Sequence, residues 1–183
     1  AVPELAYIVG DCRPQAIILD PSFGEAFAAL RETQPIQHAI WLGDDAPDGD
    51  WTYADALAAG DPAGVADPRM AYDDTWAILY TSGTTGRPKG AQVTYSNFFY
   101  NAVGMGQAID LSSADVNINV LPAFHAGGLG LYAGPIFHAG GTLVVMHHFD
   151  AAELLRLIEK WQVTVILLVP ALYLVLSQFE QFD

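Results

Sequence analysis

The sequence predicts an α/β fold in which sheets of largely parallel strands are flanked by helices. Three observations carry this reading. Short runs dense in β-branched and apolar residues alternate with helical patterns along most of the chain. Those strand runs lack a clean polar face, which is the mark of sheets covered on both sides. Hydrophobic residues make up 52% of the chain and charged residues only 15%.

Taken in order, residues 15–20 (Gln-Ala-Ile-Ile-Leu-Asp) read as a short buried strand. Ser22 is then placed to start a helix with Glu25 completing a capping box, and Phe23, Phe27 and Leu30 fall on one face. Residues 37–42 form the next strand. An acidic, proline-marked stretch follows, with one short helix at 53–59. From Thr75 the rhythm is regular: a strand at 75–80, a loop at 83–90, a short strand at 91–94 and a helix at 96–109. A strand at 116–121 precedes a glycine-loosened helix at 125–138. After a strand at 142–146, Asp150 caps a helix with Glu153 at the capping-box position. Leu154, Leu157, Ile158 and Trp161 in that helix follow i, i+3, i+4, i+7 spacing and define a buried face. Residues 163–169 read as a branched-residue strand, and Pro170 suits the first turn of a closing helix through Phe179, where its missing N–H costs nothing. The domain expectation is a partial N-terminal subdomain at 1–70 and a core portion at 71–183.

Composition excludes several classes. This much apolar content is incompatible with disorder and points to a piece of a larger body that covers part of its surface. Twenty-one acids against seven bases give a net charge of −14, which repels phosphate at long range and argues against nucleic-acid binding. Nine of the acids lie between Asp44 and Asp74, opposed only by Arg69, and read as a solvated loop. A single cysteine, Cys12, excludes an internal disulfide framework and fits a reducing compartment. The longest apolar stretch, 163–176, contains Thr164 and Pro170 and is shorter than the roughly 18 residues of a membrane span. With no basic-then-apolar leader, the expectation is a cytoplasmic protein.

The chemistry sits in one loop: Tyr80-Thr81-Ser82-Gly83-Thr84-Thr85-Gly86-Arg87-Pro88-Lys89-Gly90. Its hydroxyls and free backbone N–H groups are donors for phosphate oxygens, and Gly83 and Gly86 allow a close backbone approach. Lys89 is one of only two lysines in the chain, so its place in this loop of an acidic protein marks an anion site. A Walker loop is excluded, because its spacing from Gly83 would require glycine where Pro88 stands. A Gly-Thr-Thr-Gly run by itself is also compatible with a plain turn.

The whole string resembles the phosphate-binding signature of the adenylate-forming (AMP-binding) enzymes, and within them most of all the acyl-CoA synthetases and fatty-acid–CoA ligases. The segment Leu121-Pro122-Ala123-Phe124-His125-Ala126-Gly127-Gly128-Leu129 is similar to a second family motif, with Ala123 where a larger residue is common. Gly140-Gly141-Thr142, Phe149-Asp150 and Val169-Pro170-Ala171-Leu172 look like family core, and Glu4–Ile8 resembles the helix before an early strand. The resemblance implies the multilayer N-terminal domain of that family. It implies that Thr81, Ser82, Gly83, Thr84, Thr85, Gly86 and Lys89 hold the β- and γ-phosphates of ATP, with Mg²⁺ carried by the nucleotide. It places His125 beside the acyl-adenylate in the carboxylate pocket, with Gly127, Gly128 and Gly130 leaving room along one wall. CoA is the implied acceptor, a small-molecule carboxylic acid the implied substrate.

Two departures qualify this. The family's later Tyr-Gly-x-Thr-Glu segment, ribose-binding Asp and C-terminal domain with a catalytic Lys are absent, so the chain is expected to be an inactive internal fragment that self-associates through exposed apolar faces. Many CoA-using relatives carry Lys or Arg before Phe-Asp, where this chain has His148, which makes the CoA contact there weak. His147 and His148, as neighbours on a strand, would point to opposite faces and not chelate one metal ion. Two other readings stay open. One is a non-catalytic nucleotide-binding module or relic of the same fold. Another is a dinucleotide-binding domain, from Gly128-Leu129-Gly130-Leu131-Tyr132-Ala133 with Asp150 beyond, although Pro122 and five further residues separate those glycines from the strand. Serine hydrolysis lacks the G-x-S-x-G elbow.

Overall fold

The computed structural model describes residues 2–64, 69–81 and 87–179. The chain divides into two compact units, one of Ala1–Met70 with Tyr80–Ala91 and one of Ala71–Leu79 with Gln92–Asp183.

In the first unit, helix α1 (Val2–Cys12) leads to strand β1 (Ala16–Leu19), helix α2 (Gly24–Arg31) and strand β2 (His38–Trp41). Strand β1 runs parallel to β2 with Ile17 opposite Ala39 and Leu19 opposite Trp41. A third parallel strand, β3 (Trp51–Thr52), extends the sheet beyond β2. Two residues are too few to show a period, so this strand was invisible in the sequence. Period-2 alternation turns Leu19, Ala39 and Trp41 toward the helices, where they bury with Val9, Phe27 and Leu30. Ile18, on the opposite face, is 56% exposed.

The entry to α2 differs from expectation. Asp20, not Ser22, is the cap: its carboxylate accepts from Ser22 N at 2.9 Å and from the Ser22 hydroxyl at 2.6 Å. Pro21, with its fixed φ, then opens a 3₁₀ turn over Pro21–Phe23 before the α-helix proper. The turn rotates Phe23 out of the buried face, leaving it 59% exposed, while Phe27 and Leu30 stay inside.

Nor is the acidic stretch wholly solvated. Asp50 accepts from Arg31 Nη1 at 2.9 Å and from Trp41 Nε1 at 3.0 Å. Its side chain is 2% exposed, against 34% for that of Arg31. Burial works against the charged form, but the hydrogen bonds from Arg31 and Trp41 and the guanidinium charge hold the carboxyl below its ordinary value. Helix α3 (Tyr53–Ala59) follows, capped by the Thr52 hydroxyl accepting from Asp55 N at 3.0 Å.

Strands β4 (Thr75–Thr81) and β5 (Lys89–Thr94) pair as a two-stranded sheet, and both pass from one unit to the other along their length. Helix α4 (Tyr95–Ala108) begins directly after β5 with a reciprocal capping box between Thr94 and Asn97.

The second unit is built on strand β6 (Val116–Asn119), flanked on one side by β7 (Thr142–Val145) and on the other by β8 (Val165–Ile166), both parallel to it. Between β6 and β7 the expected single helix is instead a π-helical turn, Gly127–Ala133, followed by helix α5 (Gly134–Ala139). Helix α6 (Ala151–Trp161) links β7 to β8, and α7 (Pro170–Ser177) closes the described chain with Pro170 in its first turn. Ile118, Leu154, Leu168 and Leu176 form the core of this unit.

Three expectations are corrected here. The strand at 163–169 contracts to β8, where Val165 and Ile166 stand in register with Asn117 and Ile118 of β6. Trp161 is 46% exposed at the end of α6, with the Lys160 ammonium over its ring. Asp150 does cap α6, accepting from Glu153 N at 2.8 Å, but the Glu153 carboxylate accepts from Arg156 Nε at 2.7 Å rather than returning to the cap. An ion pair three residues along the helix outcompetes the reciprocal bond. It also holds the Glu153 carboxyl below its usual value.

Candidate functional site

The phosphate-loop motif begins and ends on strands. Thr81 is the last residue of β4, Lys89 the first of β5, and both are exposed. Ser82, Gly83, Thr84, Thr85 and Gly86 lie outside the described residues. The flanks are tied to α1 within the first unit. The Tyr80 hydroxyl donates to the Asp11 carboxylate, and the Arg87 guanidinium lies 5.9 Å from the centre of the Tyr7 ring. The bond to Asp11, with burial adding to it, pushes the Tyr80 hydroxyl far above its ordinary pKa, so it stays a donor. Arg87 is thereby engaged at Tyr7, and Lys89 supplies an exposed cation at the start of β5.

In the second unit, the segment after β6 winds around His125. His125 N donates to Pro122 O at 3.1 Å, and its carbonyl accepts from Gly128 N and Leu129 N, each at 3.1 Å. His125 Nδ1 accepts from Gly127 N at 3.0 Å. An imidazole that accepts at Nδ1 carries its proton on Nε2, so the neutral ring presents an Nε2–H donor from an exposed position. That is a suitable partner for a carboxylate or acyl oxygen.

The glycines here divide by role. A Cβ on Gly128 would stand 2.2 Å from Pro122 O, so glycine is required for the backbone to close on itself. A Cβ on Gly127 would stand 3.3 Å from His125 Nδ1, whereas nothing lies within 4 Å of the same position on Gly130. The expectation that all three leave room along a wall therefore holds for Gly130, while Gly128 serves the turn.

His148 lies beyond β7 rather than on it, so strand alternation does not govern the His147–His148 pair. Their rings meet edge to face with centroids 5.8 Å apart. Among the described residues no three metal-ligating side chains gather in one place. Both histidines line a crevice of about 440 Å³ that also contains Asn119, Leu121, Phe124 and Phe149.

The position of this crevice follows from topology. Strand order β7-β6-β8 means that the crossover from β6 to β7 and the crossover from β7 to β8 travel in opposite directions. Right-handed crossovers then place α5 and α6 on opposite faces, and the loops leaving β6 and β7 diverge. A crevice outside the carboxyl ends of parallel strands, at such a reversal, is where α/β sheets bind ligands. The fold thus brings His148 together with the segment leading to His125. The phosphate-loop flanks belong to the other unit.

Sequence reasoning missed Asn101, Asn117 and Asn119. Asn117 is 2% exposed on the central strand, and among the described residues its Oδ1 has no hydrogen-bond partner. Asparagines within the apolar run Val116–Val120 were the available signal, since a buried strand seldom carries amides. Among the described residues no helix is long and apolar enough to cross a membrane.

Comparison with known proteins adds to this geometry. The family model described as AMP-binding enzyme matches residues 1–183. An indoleacetate–CoA ligase of Aromatoleum aromaticum is 35% identical over 173 residues, covering 93% of this chain and 33% of that protein. The ATP-bound crystal structure of MatB from Rhodopseudomonas palustris is 31% identical, with a TM-score of 0.81, over 98% of this chain and 34% of that one. The N-terminal domain of FACL13 from Mycobacterium tuberculosis is 28% identical, with a TM-score of 0.81, over 100% of this chain and 44% of that one. The chain spans about a third of the length of the curated relatives it matches.

Proposed function

This chain belongs to the AMP-binding enzyme family, and from that premise we propose that it is the phosphate-loop and carboxylate-site portion of an ATP-dependent carboxylic acid–CoA ligase. The reaction has two halves. A carboxylate oxygen attacks the α-phosphorus of ATP, the α–β bridge breaks, and pyrophosphate leaves; Mg²⁺ brought with the nucleotide would offset the phosphate charge. The CoA thiolate then attacks the acyl carbon, and AMP leaves.

The residues divide between these halves. Thr81, Ser82, Gly83, Thr84, Thr85, Gly86 and Lys89 hold the β- and γ-phosphates, where donors fixed in advance stabilise charge that grows as the bridge breaks. His125 donates from Nε2 to the acid and its adenylate. His148, in the crevice beyond β6 and β7, contacts CoA, more weakly than a permanent cation would. The isolated 183-residue chain holds these groups without completing a turnover.

The observation that carries the reading is the exposure of Thr81 at the end of β4 and of Lys89 at the start of β5, so that the motif spans the connection between two paired strands. The test is acid-dependent ATP–pyrophosphate exchange in the longer protein that carries this chain. Lys89→Ala is expected to slow exchange about 100-fold, the effect of removing one preorganised donor from developing charge. An unchanged rate would sink the assignment. ATP binding with no exchange in the unaltered protein would point to a non-catalytic nucleotide-binding module instead.

A further inference from the structure

Helix α1 meets the phosphate-loop motif at both of its flanks. Tyr7 and Asp11 are one turn apart on α1 and share a face. The Asp11 carboxylate accepts from the hydroxyl of Tyr80, the residue before Thr81. The Arg87 guanidinium, two residues before Lys89, lies 5.9 Å from the centre of the Tyr7 ring, within reach of a cation–π contact. All four residues belong to the first unit.

α1 is a fixed platform for these contacts. Val9, between Tyr7 and Asp11 in sequence, is buried with Leu19, Phe27 and Leu30, and Ala6 packs against the same cluster. A side chain seated on Tyr7 or Asp11 is thereby tied to the core of the unit.

Each tie constrains a neighbouring residue of the motif through the backbone. Successive side chains of a strand point to opposite faces, so a Tyr80 side chain held at α1 turns Thr81 to the other face of β4. On the second flank, Pro88 fixes its own φ and keeps Arg87 out of helical geometry. With Arg87 seated on Tyr7, the backbone has little freedom left where β5 begins at Lys89.

We propose that Asp11 and Tyr7 are positioning residues for the phosphates of ATP, holding Tyr80 and Arg87 at the two flanks so that Thr81 and Lys89 are aimed in advance. The identity of the ligand rests on the ligase reading above; the clamp itself does not. Charge alone makes the opposite prediction. Removing the Asp11 carboxylate takes a negative charge away from the flank of an anion site and should tighten phosphate binding, whereas loss of a clamp should weaken it.

The first test uses the full 183-residue chain and trypsin, which cuts after Lys89 but not between Arg87 and Pro88. Cleavage after Lys160, on α6 of the other unit, is the internal reference. Asp11→Ala and Tyr80→Phe should each raise cleavage after Lys89, relative to Lys160, at least fivefold. The double variant should do no more than either alone, because both remove one bond. A ratio within twofold of the original in both single variants would overturn the clamp. The second test is ATP–pyrophosphate exchange in the longer protein. Asp11→Ala and Tyr80→Phe should raise KM for ATP at least fivefold and leave KM for the acid within twofold. Tyr7→Leu should raise KM for ATP about threefold. A KM for ATP that is unchanged or lower in Asp11→Ala would overturn the positioning role. Absence of exchange in the unaltered longer protein would refute the ligase reading and leave the tryptic result standing.

Discussion

Beneath the β1–β2–β3 sheet, a carboxylate, a guanidinium and an indole N–H meet beside the rings of Phe27 and Trp41. Beneath β7–β6–β8, the side chains that meet are Ile118, Leu154, Leu168 and Leu176. One unit ties a loop down with charge, and the other closes on hydrocarbon. The difference follows from what each sheet must hold. β3 is two residues long and cannot hold its register through ladder bonds alone, so Asp50, immediately before it, is anchored to α2 and β2. The β6 sheet also has a two-residue strand, β8, but it is covered by an amphipathic helix, α6, whose Leu154 packs with Ile118, Leu168 and Leu176.

The largest expected effect lies in the hydrocarbon unit. Leu154 is 0% exposed, and Leu154→Ala should cost about 2–5 kcal/mol, the transfer term plus an unrelaxed cavity. Urea unfolding measures the loss, and amide exchange should place it in β6, β7 and α6. A cost below 1 kcal/mol would mean that the site collapses on itself, and the contrast between the units would disappear.

Asp50→Asn comes next, at about 1.5–3 kcal/mol for hydrogen bonds to a charged group, with the open side of Arg31 keeping it from the upper end. This loss has a pH signature that Leu154→Ala lacks. The native carboxyl lies below its ordinary value of 3.8, so its contribution is fully present above that value. It fades as pH falls through the lowered native value. The stability gap between the original chain and Asp50→Asn should therefore narrow below about pH 4. A gap that stays constant to lower pH would show that shape rather than charge anchors the loop.

These two residues also show what was legible in the sequence. Leu154 was readable because a helix announces its buried face at i, i+3, i+4 and i+7, a local pattern. Asp50 was one acid among nine in a stretch that otherwise reads as solvated, and its partners lie 19 and 9 residues away. The same holds for the candidate site. The loop residues from Thr81 to Lys89 and the segment around His125 were legible as motifs because the chain is contiguous there, although the strand expected from 91 begins at Lys89. The bond from Asn101 to Gly130, across 29 residues, was not, nor was the crevice, which exists only because two crossovers travel in opposite directions. Ser22 failed for a local reason: a capping-box pattern was present, but Pro21 had already started the turn.

The smallest effect compares helix starts in the two units. Thr52 caps α3 with a hydroxyl, whereas Asp150 caps α6 with a carboxylate accepting from Glu153 N at 2.8 Å. Replacing either by alanine removes one acceptor and should cost about 1 kcal/mol. Only Asp150 also places a negative charge at a helix N-terminus, which is worth about 0.3–1 kcal/mol and is screened by salt. Asp150→Asn keeps the acceptor and loses the charge, so its cost should be a few tenths of a kcal/mol and should vanish as salt is raised. Thr52→Asn should show no such salt dependence. Urea unfolding at low and high salt makes the comparison. Equal salt responses at the two caps would mean that the charge of Asp150 is inert, and that α6 is held by Leu154 alone.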